Sequence, residues 1–324
     1  MNTRIEYIDV IKGFAIFLVV MGHVVAWQFS DFYIAYGSHD YDNQLILWRL
    51  IYSFHMPLFM FCSGLFLKRF TKESCCSDLM CALQKRCISL LLPYFSMGLL
   101  LWLLWGSFDF YWFLLVLFEF QVINLSISYV SSQLRKYSNV AEIAIYIVVY
   151  ILFALLGKYG KSIEHLPFID IGHLGLYIYF TLGTLCVKYG ILEKIVTRNL
   201  LYTLFLTLFL VFTGFRISVQ ELPLGRICAF IIAVSAIAIV LYFFYNVKIN
   251  FLIDRVLKDM GRRSLELYTL HLMVPITIPY LGEVYLRQIE NMGGGISTIY
   301  LAVFCVFIYI SISNMSVLYS NNDN

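Results

Sequence analysis

Charged side chains are scarce in this sequence: 13% of its 324 residues are Asp, Glu, Lys or Arg, about half the usual share in a globular domain. With 61% of residues hydrophobic, a chain of this length could not hide its apolar surface from water, which excludes a soluble fold. Polar connections of any length are also missing. The longest run to about twenty residues, too short for a core of their own. Neither sign of charge dominates: the net charge of +3 comes from loops and gives no argument for a nucleic-acid partner. No internal repeat is visible, and no low-complexity segment precedes the polar tail Ser320 to Asn324. The first apolar run follows a mixed-charge start and lacks an A-x-A-like site, so it reads as a retained span and not a cleaved signal. Eight cysteines are present. Cys75, Cys76, Cys81 and Cys87 cluster in one basic loop, without a standard zinc spacing, so no metal is expected.

What the sequence does have is apolar runs of membrane-spanning length. They fall at about 10–28, 45–67, 87–105, 110–129, 140–156, 171–187, 199–215, 224–244, 265–280 and 295–313. The expected fold is therefore all-α: a polytopic membrane protein of about ten transmembrane helices, a single membrane-embedded domain over 1–324. Lysine and arginine set the orientation. With the N-terminus inside, 17 of the 23 basic residues lie in inner segments, among them Lys68, Arg69, Lys188, Lys248, Arg255 and Arg262. The first outer loop, Ser30 to Asn43, has three aspartates and no basic residue. Both termini are expected in the cytoplasm.

Ionisable groups inside such runs are costly unless paired or hydrated, so each is a functional candidate. Lys12 and His23 are eleven residues apart, which on a helix puts them on one face and about 16 Å apart along the axis. Asp9 lies within about 60° of the same stripe. A cation near the inner surface suits an anionic group arriving from the cytoplasm. An imidazole deeper on that stripe suits proton chemistry. The second run carries Arg49, His55 and Pro57, then Ser63-Gly64, where a small pair permits close packing. Glu119 sits mid-run in the fourth segment, after Tyr111-Trp112-Phe113, and could pair with Arg49 or a histidine. The ninth opens with Ser264 and sets Tyr268 and His271 on one face. His39, His165 and His173 fall in outer loops and have no comparable claim. Three buried histidines with Lys12, Arg49 and Glu119 suit acid–base chemistry or proton-coupled transport, and spacing alone does not choose.

Four strings carry a resemblance. Tyr7 to Gly13 running on to Met21-Gly22-His23, Phe54-His55-Met56-Pro57-Leu58-Phe59 with Ser63-Gly64, Trp112-Phe113-Leu114, and Ser264-Leu265-Glu266-Leu267-Tyr268 ending at His271 stand in one order across nearly the whole chain. Together they resemble acyltransferase family 3, the bacterial membrane O-acyltransferases, and within it the compact fucose-4-O-acetylase-like members. One departure is Lys12, where many members have arginine. Lysine keeps the charge but loses the bidentate fork. The esterase-like domain fused to some members has no counterpart here, so the chain would act alone or hand on to a separate partner.

The resemblance implies an acyl-CoA donor, usually acetyl-CoA, entering from the cytoplasm. It implies an acceptor hydroxyl on a surface glycan or lipid-linked sugar, in the cell inner membrane, with glycan-assembly proteins as candidate partners. Donor binding then falls to Lys12 with Asp9 and Arg49, basic inner-loop residues joining Lys12 at the CoA phosphates. His23 serves as general base or transient acyl carrier, while His55 and His271 orient it or stabilise the oxyanion. Glu119 completes the candidate catalytic set. Trp112, Ser63, Ser264 and Tyr268 are expected to contact substrate or support the site. The competing class is a proton-coupled transporter of a glycan or small anion. A scaffold with inert histidines is the third.

Overall fold

The computed structural model describes residues 6–28, 46–105, 111–134, 138–159, 171–218 and 225–271. Among these every regular element is helical. The chain folds as two compact units, one from residues 1–56 and 196–324, the other from 57–195. The chain crosses between the units at Met56–Pro57 and again at Ile195–Val196, each time inside a helix.

In the first unit, α1 (Glu6–Gln28) and α2 (Ile46–Leu65, shared with the second unit) follow two of the predicted runs. In the second unit come α3 (Cys76–Arg86), a π-helical turn over Cys87–Leu91 leading into α4 (Leu92–Trp105), α5 (Trp112–Gln133) and α6 (Ser138–Tyr159). A 3₁₀ segment, Ile171–Leu176, opens into α7 (Tyr177–Lys188), and α8 (Ile191–Thr197) follows. The first unit resumes with α9 (Asn199–Ser218), α10 (Gly225–Asn246), α11 (Phe251–Arg262) and α12 (Ser264–Leu270).

Among the described residues, three helices are long and apolar enough to cross a bilayer: Trp112–Gln133, Asn139–Tyr159 and Gly225–Asn246. A fourth is added if the pair Gly172–Lys188 and Ile191–Thr197 counts as one broken span. That pair bends by 90° at Tyr189-Gly190, where Gly190 takes φ +63°, a left-handed turn that a residue without Cβ enters readily. Helix α6 leaves Ile147, Val148, Ile151 and Leu152 exposed along its length, as a helix facing lipid does. The predicted span 295–313, the far end of 265–280 and the first outer loop lie outside the described residues.

Two helix crossings are so close that only glycine fits. In the first unit α1 packs on α11, and a Cβ on Gly13 would overlap the Leu257 carbonyl, while one on Gly261 would overlap the Asp9 carbonyl. In the second unit Gly64 and Gly183 meet the Phe180 and Phe61 carbonyls in the same way. Thr184 Oγ1 donates to the Gly64 carbonyl at 3.2 Å beside this crossing. Small residues let helix backbones approach closely, and dispersion and weak backbone contacts hold them there.

A polar knot closes the second unit. Buried Glu142 on α6 pairs with Lys188 at the end of α7 and accepts from the Tyr146 hydroxyl at 3.1 Å. Arg69 donates to the Thr184 carbonyl at 2.9 Å. Its guanidinium is held below its ordinary pKa by burial, offset in part by attraction to Glu142.

Candidate functional site

The first unit collects the candidate residues on three helices. Helix α1 is unbroken from Glu6 to Gln28, so Asp9, Lys12 and His23 share one continuous helical register. Asp9 is buried, with its carboxylate 3.8 Å from Arg262 Nε on α11. Sequence reasoning counted Arg262 only as an inner-loop charge. Its partnership explains what an acid does one turn before Lys12: it fastens the N-terminal end of α1 to α11. Gly13 serves the same crossing, so two residues of the Asp9-x-x-Lys12-Gly13 string hold the helix that displays Lys12.

At the other end of the stripe, Gly22 makes room for α2. A Cβ there would sit 3.0 Å from Tyr52 Cε2 and 3.6 Å from Ile51 Cγ2. The Tyr52 ring in turn meets the His55 imidazole edge-on, with centroids 4.7 Å apart. The Met21-Gly22-His23 string thus brings the His23 position of α1 beside the turn of α2 that leads to His55. The side chains of His23 and Arg49 lie outside the described residues.

His55 is buried, and its Nδ1 lies 2.8 Å from the Ile51 carbonyl, one helical turn back. A carbonyl only accepts, so Nδ1 carries the proton, and in the neutral ring Nε2 is the basic nitrogen. His271, equally buried at the end of α12, repeats the pattern. Its Nδ1 lies 2.7 Å from the Tyr268 carbonyl and 3.2 Å from that of Leu267. The Tyr268-x-x-His271 spacing does two jobs here. The Tyr268 carbonyl fixes the tautomer, and its ring, 5.5 Å away, packs beside the imidazole. Helix α12 itself packs on α1. Ser264 is its first residue and half-buried.

In its neutral form each ring gives its one N–H to a backbone carbonyl and can accept a proton or orient a hydroxyl through Nε2; once protonated it carries a second N–H, on Nε2, that can donate to an oxyanion.

The remaining candidates lie in the second unit. Glu119 is half-buried on α5. Ser63 Oγ donates back to the Phe59 carbonyl at 2.9 Å, an intrahelical bond that occupies its proton. Trp112 stacks on His173, with centroids 3.6 Å apart and planes 11° from parallel. His173 had been set aside as a solvated loop residue. It is half-buried in the 3₁₀ segment before α7. The Gly172 and Gly175 that flank it were a signal of a tight local turn. Glu142, Tyr146 and Lys188 were also missed. The i, i+4 spacing of Glu142 and Tyr146 in an apolar run was the available clue.

A family model described as an acyltransferase domain matches residues 5–314. That interval holds every candidate residue named above. No curated protein and no solved structure matches the chain.

Proposed function

The chain belongs to acyltransferase family 3, and on that premise we propose that it is a membrane O-acetyltransferase. It takes acetyl from acetyl-CoA on the cytoplasmic side and passes it to a hydroxyl of an extracytoplasmic or lipid-linked glycan. It sits as a multi-pass protein in the cytoplasmic membrane, with both termini inside. Membership supplies the acyl transfer. The observation that carries the mechanism is the pair of buried imidazoles, His55 and His271, each with Nδ1–H committed to a helix carbonyl.

Lys12, on the half of α1 expected at the inner surface, holds CoA phosphate as a point charge, with inner-loop basic residues beside it. Asp9 contributes by fixing α1 through Arg262, and Arg49 stands on α2 two turns from His55. His23 accepts the acceptor's hydroxyl proton at a ring nitrogen as the oxygen attacks the thioester carbonyl. The tetrahedral intermediate collapses, the C–S bond breaks, and the proton passes to the departing thiolate to give CoA–SH. In the relay version His23 takes the acetyl first, releasing CoA–SH, and then yields it to the sugar oxygen. His55 and His271 orient hydroxyl or imidazole protons through Nε2 in either version. Trp112, with His173, offers an aromatic surface for the sugar at the outer end of α5.

Sealed vesicles of known orientation test this reading. Labelled acetyl-CoA outside inverted vesicles should label glycan, and outside right-side-out vesicles it should not. Labelling of right-side-out vesicles alone would overturn the sidedness. An absence of label in both, with sugar export lost on deletion, would favour the transporter.

A further inference from the structure

Helix α11 has three unlike sides. Leu257 and Gly261 turn toward α1, both in backbone contact with it. Leu252, Ile253 and Val256 occupy an arc of about 100° beside that contact, and they are exposed, Leu252 by 68% and Ile253 by 52%. Arg255, Lys258 and Arg262 fill a third arc of about 60°. Lys258 is paired with Asp254 at 2.8 Å, and Lys248 stands exposed just before the helix.

Neither bulk solvent suits such a helix. Water would not favour the exposed Phe251, Leu252 and Ile253 together. Hydrocarbon would not accept Asp254, Arg255, Lys258, Asp259 and Arg262 within twelve residues. The headgroup boundary suits both halves. We propose that α11 is a docking helix for anionic phospholipid. Its apolar arc enters the acyl boundary of the cytoplasmic leaflet, and Lys248 and Arg255 contact lipid phosphates. Positive side chains on a surface helix attract the negative leaflet, and Lys248 and Arg255 are the exposed cations here that hold no acid.

The docked helix is also fastened to the candidate site. The Asp9–Arg262 pair and the overlapping approach of Gly13 and Gly261 leave no slack between α11 and α1. Lipid that seats α11 therefore fixes the helix that carries Lys12 and His23. Anionic lipid raises transfer by this route. That regulatory half rests on the acyltransferase reading, whereas the lipid site does not.

The test uses the full-length protein in phosphatidylcholine nanodiscs with increasing phosphatidylglycerol, reading amide exchange across residues 251–262 and acetyl transfer in parallel. Wild type should gain protection on α11 as phosphatidylglycerol rises. The Lys248→Gln/Arg255→Gln variant should need about 30-fold more, at roughly a tenfold loss for each 1.4 kcal/mol and near 1 kcal/mol per cation. Unchanged protection over residues 226–246 verifies that the variant is folded. Exchange on α11 indifferent to phosphatidylglycerol would overturn the proposal. So would equal protection from CoA alone in phosphatidylcholine, which would make the basic arc a donor-phosphate site. Lipid-dependent protection without transfer in any lipid would uphold the docking helix and sink the acyltransferase reading alone.

Discussion

An imidazole buried among apolar side chains has two nitrogens to satisfy, and the helix carrying it supplies only carbonyls. His55 and His271 meet that constraint identically, with Nδ1 turned back to a carbonyl of the preceding turn. Asparagine can imitate the Nδ1 donor and has no basic nitrogen. His55→Asn and His271→Asn should therefore keep the melting temperature of wild type while lowering transfer by about 10²-fold or more. A variant that melts early and regains rate when cooled would mark these as packing residues. The Glu142–Lys188 pair makes the opposite case. Lys188→Met strands a buried carboxylate and should cost about 3 kcal/mol in a denaturant titration. Adding Glu142→Gln should recover most of that loss, because the second change removes the unpaired charge. Sequence alone named His55 and His271 because ionisable groups stand out in apolar runs. It could not name their tautomers, which depend on rotamers facing particular carbonyls.

Helices in apolar runs were legible because a bilayer demands a long uninterrupted stretch. α5, α6, α9 and α10 begin and end within a few residues of the expected spans. α3, α8 and α11 were not legible in that way. α3 and α11 are polar on average, and α8, at seven residues, is too short to show as a span. The purpose of Gly13 was equally hidden, since its partner carbonyl belongs to a helix far along the chain. Gly13→Ala should destabilise the first unit by about 1–3 kcal/mol, as overpacking does. Gly214→Ala, on α9 with open space around its Cβ position, should stabilise by up to about 1 kcal/mol. Paired thermal melts in one detergent compare the two, and equal effects would refute the crossing. Helix α3 offers a pH signature. Asp78 accepts from the Cys75 amide at 2.9 Å, which lowers its pKa. The contribution of this cap is complete above the ordinary carboxylate range near 3.9 and is lost as pH falls through the depressed value. Amide protection at the start of α3, corrected for intrinsic exchange, should drop there in wild type and be pH-independent in Asp78→Asn.

For the whole molecule, the membrane setting was readable from composition and the family from four short strings, since both are local properties of the chain. Orientation and the full number of spans rest on charge asymmetry and run length. The division of the candidates was not readable: Lys12, His23, His55 and His271 all belong to the first unit, while Glu119, Ser63 and Trp112 belong to the second. Motif order along a chain carries no information about such a partition. The central claim is that His23, at the far end of the Lys12 stripe, performs acyl transfer. Its most direct test is labelled-acetyl transfer from acetyl-CoA to glycan by membranes holding equal amounts of wild type or His23→Ala. The account predicts label with wild type and a loss of about 10²-fold or more in the variant. Equal labelling by both would contradict it and remove His23 from the chemistry.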